Sequence, residues 1–108
     1  MSEIDAILEM IRGQAVREEV RVTQHAQQEM VEEAITMDDL LHVVSNAHLL
    51  ENYPDHRRGA CCLLHGTDGS KRDIHLVCTT AQPRLIIITA YLPLPPKWIT
   101  PGLRRPTP

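Results

Sequence analysis

The run Leu85–Leu92 constrains the fold of this chain more than any other stretch. It is almost continuously apolar and rich in β-branched residues, which is typical of a strand that is covered on both faces. The segment Pro93–Pro96 ends the run, because proline cannot donate a hydrogen bond to a sheet. Thr89 and Tyr91 are the hydrogen-bonding side chains near the exit of this strand. The sequence therefore predicts a central strand here, with a place for a site where it ends.

Helical periodicity and capping residues predict three helices before that strand. Ser2 begins a capping-box pattern for a short helix that Gly13 closes, and Thr23 caps a second helix over Gln24–Ala34. Thr36 and Asp39 form a capping box that opens a third helix over Met37–Asn46. Between the first two helices, the alternating stretch Glu18–Thr23 suits a short or edge strand, with Val20 and Val22 facing one way.

The dipeptide Asp68-Gly69 is a strong hairpin signal between the predicted strands Ala60–Gly66 and Lys71–Thr79. A two-residue turn there pairs Cys62 with His75 and Leu64 with Asp73. The more apolar set should then face the helices, namely Cys61, Leu63, Ile74, Leu76 and Cys78. His75 is accordingly predicted on the opposite, open face of the sheet, where a cleft could form.

These elements predict an α+β fold, in which two to three N-terminal helices pack on one face of an antiparallel sheet of about four strands. His48–Tyr53 is another of these strands and ends at Pro54. We expect a single domain over residues 1–98, followed by a poorly ordered Pro- and Arg-containing tail over residues 99–108.

No apolar run is long enough to span a membrane, and no signal peptide is visible. Three cysteines do not form a disulfide framework, which favours a reducing cytoplasm.

Charge is distributed unevenly along the chain, although the net charge is only −3. Residues 1–55 carry a net charge of −9, and residues 56–108 carry +6. One interpretation is that acidic helices cover the outside of a basic sheet. The other is that the basic sheet surface binds phosphates.

Residues that could bind a metal ion are present, but their spacing does not match a common site. Zinc sites draw ligands from tight pairs such as Cys-x2-Cys, and none occurs among Cys61, Cys62, His65, His75 and Cys78. Residues three apart in a strand point to opposite faces, which separates these ligands further. We therefore expect no metal and no cofactor.

His25 and Glu29 are four residues apart, so they share a helix face, where the histidine either is oriented by Glu29 or is simply solvated.

Several short motifs between Val20 and Trp98 resemble a bacterial family, the one catalogued as domain of unknown function 4258. They are His25-Ala26 followed by Met30, then Ile35-Thr36 and Asp39, the strand ending in Tyr53-Pro54, the strand Ile74–Val77, and Ile87–Pro93 leading to Trp98. The resemblance implies the fold of RelE- and BrnT-like toxins, which cleave RNA without a metal ion, and an antitoxin protein as a partner. One departure is that Glu29 and Glu33 stand where the family often has arginines, and glutamates repel RNA.

The resemblance thus implies a metal-independent endoribonuclease of the toxin–antitoxin type, or an inactive relative of one. Such cleavage needs a base, an acid and a group that stabilises the charge on the phosphate. His25 and His75 are the candidate base and acid, and Tyr91 is a candidate donor. Arg57, Arg58 or Arg72 would stabilise the charge of the phosphate. The alternative is a non-enzymatic interaction domain whose exposed sheet edge pairs with a partner protein.

Overall fold

A computed structural model describes residues 2–95 and 98–104 of the chain. The helices are α1 (Glu3–Val16), α2 (Gln24–Glu32) and α3 (Met37–Asn46), and the strands are β1 (Val20–Val22), β2 (His48–Tyr53), β3 (Cys61–Thr67), β4 (Asp73–Thr79), β5 (Leu85–Tyr91), β6 (Trp98–Thr100) and β7 (Leu103–Arg104). Strands β1 to β5 form one sheet in the order β1-β5-β4-β3-β2, and β6 pairs with β7. None of the helices in this part of the chain has the length and apolar character needed to cross a membrane.

The predicted α+β class is confirmed, and the hydrophobic core combines residues of all three helices with one face of the five-stranded sheet. The predicted antiparallel sheet of about four strands needs correction, because five strands form a mixed sheet in which β1 runs parallel to β5. Backbone hydrogen bonds join Leu85 N to Glu19 O at 2.8 Å and Thr23 N to Ile87 O at 3.0 Å. Strand β5 is therefore an interior strand, as the sequence predicts.

The two faces of β5 are covered unequally. Leu85, Ile87 and Ala90 are fully buried in the core, whereas Ile86 and Ile88 on this strand are only half-buried. A register shift between Val77 and Cys78 of β4 interrupts the pairing with β5. The prediction of a strand covered on both faces thus holds fully for one face only.

The predicted helix starts are confirmed by their caps. The Ser2 and Thr23 side chains accept hydrogen bonds from the backbone N–H groups of Asp5 and Ala26. Thr36 and Asp39 form the reciprocal capping box of α3. The predicted ends differ for the other two helices.

Gly13 does not close α1, which continues to Val16. The extension places the buried Gln14 where its amide donates to Gln82 O at 2.8 Å, so α1 is tied to the loop between β4 and β5. Helix α2 stops at Glu32, before the predicted end at Ala34, because Ala34 has a positive φ of 52° that a helix does not allow.

The predicted register between β3 and β4 is wrong, because the observed pairing is displaced from it by an odd number of residues. The structure pairs His65 with His75, Leu64 with Leu76 and Cys62 with Cys78. The connection is a five-residue loop over positions 68–72, in which the Asp68 carboxylate accepts from Ser70 N and Arg72 N and in which Lys71 has a φ of 65°. An odd shift exchanges the faces of a strand, so Cys62 and Leu64 lie in the core in place of Cys61 and Leu63. His75 keeps its predicted face, away from the helices.

The C-terminal segment contains a small hairpin where the sequence predicts a poorly ordered tail. Strands β6 and β7 are joined through a turn at Pro101 and Gly102, with Thr100 paired with Leu103. Trp98 is 2% exposed, so this hairpin packs against the rest of the molecule. Residues 105–108 of the predicted tail lie outside the described residues.

Candidate functional site

Four rings form a row across the sheet face that points away from the helices, which we call the open face. Cross-strand register aligns His48 on β2 with His65, His65 with His75, and His75 with Tyr91 on β5. The centroids of neighbouring rings lie 5.0 to 5.3 Å apart in edge-to-face arrangements. We call these four residues the ring row, and it lies at the exit of the central strand, where the sequence predicts a site.

His75 is the buried centre of the ring row, with 0% exposure. Its Nε2 lies 2.6 Å from the carbonyl oxygen of Pro101, and its Nδ1 lies 3.2 Å from the hydroxyl of Tyr91. A carbonyl can only accept, so Nε2 carries the proton and Nδ1 accepts from the Tyr91 hydroxyl. Burial lowers the pKa of His75 to about 4, and burial also raises the pKa of Tyr91. His75 is therefore a neutral imidazole with both nitrogens engaged.

The hairpin β6–β7 covers the ring row. The Trp98 ring stands edge-to-face against His75, with centroids 4.3 Å apart, and the Arg104 guanidinium lies 4.6 Å from the centre of the Trp98 ring. Arg104 also forms an ion pair of 2.8 Å with Glu51, and this bond holds the pKa of the Glu51 carboxyl low. Next to His75, His65 Nε2 lies 2.8 Å from Asp73 Oδ1, whereas its Nδ1 is buried without a hydrogen-bond partner in the described part of the chain.

The structure places His25 elsewhere, in the first turn of α2. Its side chain is 66% exposed, and its Nε2 lies 3.3 Å from Oε1 of Glu29. The same Glu29 oxygen accepts a 3.0 Å hydrogen bond from Ala90 N on β5. Among the described residues, no hydrogen bond or ring contact joins His25 to His75 or Tyr91. The contact of His25 with Glu29 is present, and Glu29 in turn bonds to Ala90, the neighbour of Tyr91, whereas His75 and Tyr91 contact each other directly.

The three predicted phosphate-binding arginines are also divided between two places. Arg57 and Arg58 are exposed in the turn between β2 and β3. Arg72 belongs to the β3–β4 loop and is engaged within the fold. Its guanidinium pairs with Asp68 at 2.7 Å and donates to the carbonyl oxygens of Glu33 and Ala34 at 3.0 and 2.9 Å. Arg72 thus ties two loops together, and its donors are already used.

Two further arginines join Arg57 and Arg58 at the same end of the sheet. Arg84 directly precedes β5, and its loop lies beside the β2–β3 turn, since a Cβ added at Gly59 would be 3.9 Å from Nε2 of Gln82. Arg21 on β1 is paired in register with Ile86, so both point to the open face while Leu85 and Ile87 point to the core. Sequence reasoning missed both residues, and for Arg21 the reason is that nothing in the sequence shows that β1 pairs with β5.

We call Arg21, Arg57, Arg58 and Arg84 the arginine end of the open face. All four are exposed, and none makes an ion pair with another described residue. Register places Thr79, Cys61 and Tyr53 in line with Ile86 across the sheet beneath them. Tyr53 is partly exposed and bonded to Glu51 through its hydroxyl. The arrangement offers free guanidinium groups beside a surface with one aromatic ring.

The cysteines and histidines do not assemble into a metal site in the structure. Within residues 2–95 and 98–104, no group of three or more His, Cys, Asp or Glu side chains is arranged to hold a metal ion. All three cysteines are buried thiols, and Cys62 and Cys78 lie with their sulfurs 3.9 Å apart inside the core. Burial raises the pKa of Cys61, which disfavours the reactive thiolate form of that residue.

Comparison with known proteins gives one match. No curated protein and no solved structure matches the chain significantly. One family model matches residues 22–92, a segment that runs from β1 to just beyond β5 and contains the whole ring row. Because this segment covers more than half of the chain, the protein belongs to the family described as domain of unknown function DUF4258.

Proposed function

We propose that this domain binds single-stranded RNA through the arginine end of the open face. It would be a relative of the RelE- and BrnT-like ribonuclease toxins in which His75 is not a catalytic acid. The observation that carries the proposal is the group of four exposed arginines without ion pairs at one end of one sheet face. Arginine is well suited to phosphate, because its planar guanidinium donates two parallel hydrogen bonds.

The remaining arginines support this choice by contrast. Arg12 donates to the carbonyl oxygens of Val44 and Ala47, Arg17 pairs with Glu19, and Arg104 pairs with Glu51. Each of these arginines therefore has a bonding partner within the fold, as does Arg72. The β-sheet also positions Tyr53 on the same face, and stacking of bases on aromatic side chains is a common way to bind single strands.

Catalysis by a His25 and His75 pair has less support than RNA binding. A general acid or base must reach the reacting atoms, and His75 has 0% exposure with hydrogen bonds at both nitrogens. His25 is accessible and faces the Glu29 carboxylate, an arrangement that can orient a general base. Any cleavage activity of this chain would therefore depend on His25 more than on His75.

Fluorescence anisotropy with a labelled single-stranded RNA tests the proposal. Arg57→Ala combined with Arg84→Ala should weaken binding by about 30-fold, since two phosphate contacts are lost and each costs roughly 1 kcal/mol. Lys71→Ala is the matched control, because it removes an exposed cation from the opposite end of the sheet. Equal affinity of the double variant and the wild type would refute the proposal. Gel analysis of the same RNA with His25→Ala then shows whether cleavage occurs and depends on His25.

A second candidate function is protein interaction through the outer edge of β2. The opposite edge of the sheet is partly covered, because Thr23 and Glu29 bond to the backbone of Ile88 and Ala90 and Gln27 bonds to Val22. Strand β2 is six residues long and has a neighbour on one side only among the described strands. An exposed edge of this length can accept an added strand, for example from an antitoxin protein.

Co-purification with the product of an adjacent gene tests this second candidate. Leu50 sits at the register shift of β2 and is unpaired with β3. Leu50→Pro should abolish the complex, because a proline ring in β2 hinders pairing with an added strand, whereas Leu50→Ala is the control that keeps the backbone N–H. Circular dichroism confirms that both variants fold. A complex that survives Leu50→Pro in a folded protein would exclude pairing at this edge.

A further inference from the structure

The hairpin β6–β7 occupies a surface that would otherwise be open to a ligand. The match to the family ends at residue 92, whereas the hairpin spans Trp98–Arg104. The hairpin covers the ring row, with Trp98 against His75 and the carbonyl oxygen of Pro101 bonded to His75.

The contacts of the hairpin with the sheet lie partly at the surface. Among the described residues they include the Trp98 ring contact, the Pro101 hydrogen bond and the Arg104–Glu51 ion pair. The side chains of Arg104 and Glu51 are 37% and 32% exposed, so water weakens this pair. A cavity of about 350 Å³ lies between the hairpin and the exit of β5, lined by Asp73, Pro93 and Pro101 among others. The hairpin therefore borders a cavity and is held in part by a partly exposed ion pair.

The chemistry beneath the hairpin suits a flat aromatic ligand. The ring row is a continuous series of three imidazoles and one phenol on a sheet face, and such platforms stack the bases of single-stranded nucleic acids. Trp98 places an indole on this platform, and Pro101 places a carbonyl oxygen on the Nε2 proton of His75. An aromatic ring and an adjacent carbonyl are also the groups that a pyrimidine or guanine base presents. His65 adds a buried Nδ1 without a partner in the described structure.

We propose that the hairpin β6–β7 is an autoinhibitory strap that competes with an RNA base for the ring row. This inference rests on the proposed function, because the arginine end would bind the ribose-phosphate chain. A base of the same RNA would then displace the strap from the ring row. The strap lowers the apparent affinity because only the fraction of molecules with an open strap is competent to bind the base. Loosening the strap should therefore strengthen binding of RNA.

Arg104→Ala is the decisive variant, because the strap and simple electrostatics predict opposite results for it. Losing a positive charge should weaken RNA binding, whereas opening the strap should strengthen it by about fivefold. An abasic oligonucleotide of equal length carries the same phosphates without bases, and its affinity should not rise. Unchanged or weaker RNA binding by folded Arg104→Ala protein would overturn the strap. Arg57→Ala with Arg84→Ala tests the arginine end separately, so a failure of the strap can be distinguished from a failure of the proposed RNA binding.

Trp98 provides a second measurement on the unaltered protein, because it is the single tryptophan of the chain and is buried. Saturating RNA should shift its emission to longer wavelength and make it accessible to acrylamide quenching as the strap leaves the sheet. The abasic oligonucleotide should leave the emission unchanged. A Trp98 signal that stays buried in the RNA complex would also overturn the proposal, whatever the affinity of the variants.

Discussion

At the scale of single residues, His75 shows how the same position can be predicted correctly and its role misjudged. Its face was predictable from strand alternation, and the structure places it there. Its burial depends on Trp98 and Pro101, which follow the central strand after a proline-rich stretch. Nothing local to His75 signals that cover, so the sequence suggests an accessible acid where the structure has a buried neutral ring.

The burial of His75 predicts a specific pH dependence of stability. Its pKa falls from an ordinary 6.5 to about 4 on folding, so the unfolded chain binds the proton more tightly. The contribution of neutral His75 to the free energy of unfolding is fully present above pH 6.5. It is lost as the pH falls towards 4, by about 3 kcal/mol in total. His75→Gln keeps a donor for Pro101 but does not titrate, so urea denaturation should show a flatter pH profile. Equal slopes in the wild-type and His75→Gln proteins would contradict this prediction.

Arg72 is a second residue whose role the structure redefines, from phosphate ligand to loop tie. Arg72→Ala removes the ion pair with Asp68 and leaves two carbonyl groups of the α2–α3 connection without their donor. We expect thermal unfolding to show a Tm lower by about 5–10 °C. Lys71→Ala, at the neighbouring exposed position, should leave the Tm unchanged. A phosphate-binding role would instead show as weaker RNA binding at an unchanged Tm.

At the scale of elements, helix caps and bounds that depend on neighbouring residues were predictable from the sequence. The strand register, which depends on distant residues, was not. The capping box of Thr36 and Asp39 and the bounds of α3 follow from residues within one turn of each other. The β3–β4 register does not, because the loop after Asp68 is lengthened and fixed by Arg72 reaching the carbonyls of Glu33 and Ala34. A turn held by residues almost 40 positions away along the chain leaves no local pattern.

The packing of α3 on β3 gives a prediction at this scale. A Cβ added at Gly66 would lie 2.7 Å from the Val43 carbonyl oxygen and 2.8 Å from Oδ1 of Asn46, which bonds to Thr67 N. Backbone atoms cannot move aside as a flexible side chain can, so Gly66→Ala should cost about 2–3 kcal/mol in chemical denaturation. Gly69→Ala is the matched control, since nothing lies within 4 Å of its added Cβ. Comparable stability of the two variants would mean that α3 does not approach β3 this closely.

At the scale of the whole molecule, the structure shows where the uneven charge of the sequence lies on the surface. The helical half is acidic, and the later half contributes Arg57, Arg58 and Arg84 to one end of the open face. The fourth member, Arg21, comes from the acidic half and reaches that end because β1 pairs in parallel with β5. The sequence could predict a basic surface on the sheet, but only the tertiary pairing of two distant segments selects its members.

This location predicts how RNA binding responds to salt. Four phosphate contacts on a single strand should give a slope of log affinity against log salt of about −3, since each contact contributes roughly 0.7. The long-range repulsion from a chain of net charge −3 should lower the affinity at low salt without adding contacts. Arg21→Ala should make the slope shallower by about 0.7, as should Arg84→Ala, although the two residues lie more than 60 positions apart. Lys71→Ala should leave the slope unchanged, because it lies beyond the other end of β4. If Arg21→Ala and Lys71→Ala gave the same slope as the wild type, Arg21 would not belong to the binding surface.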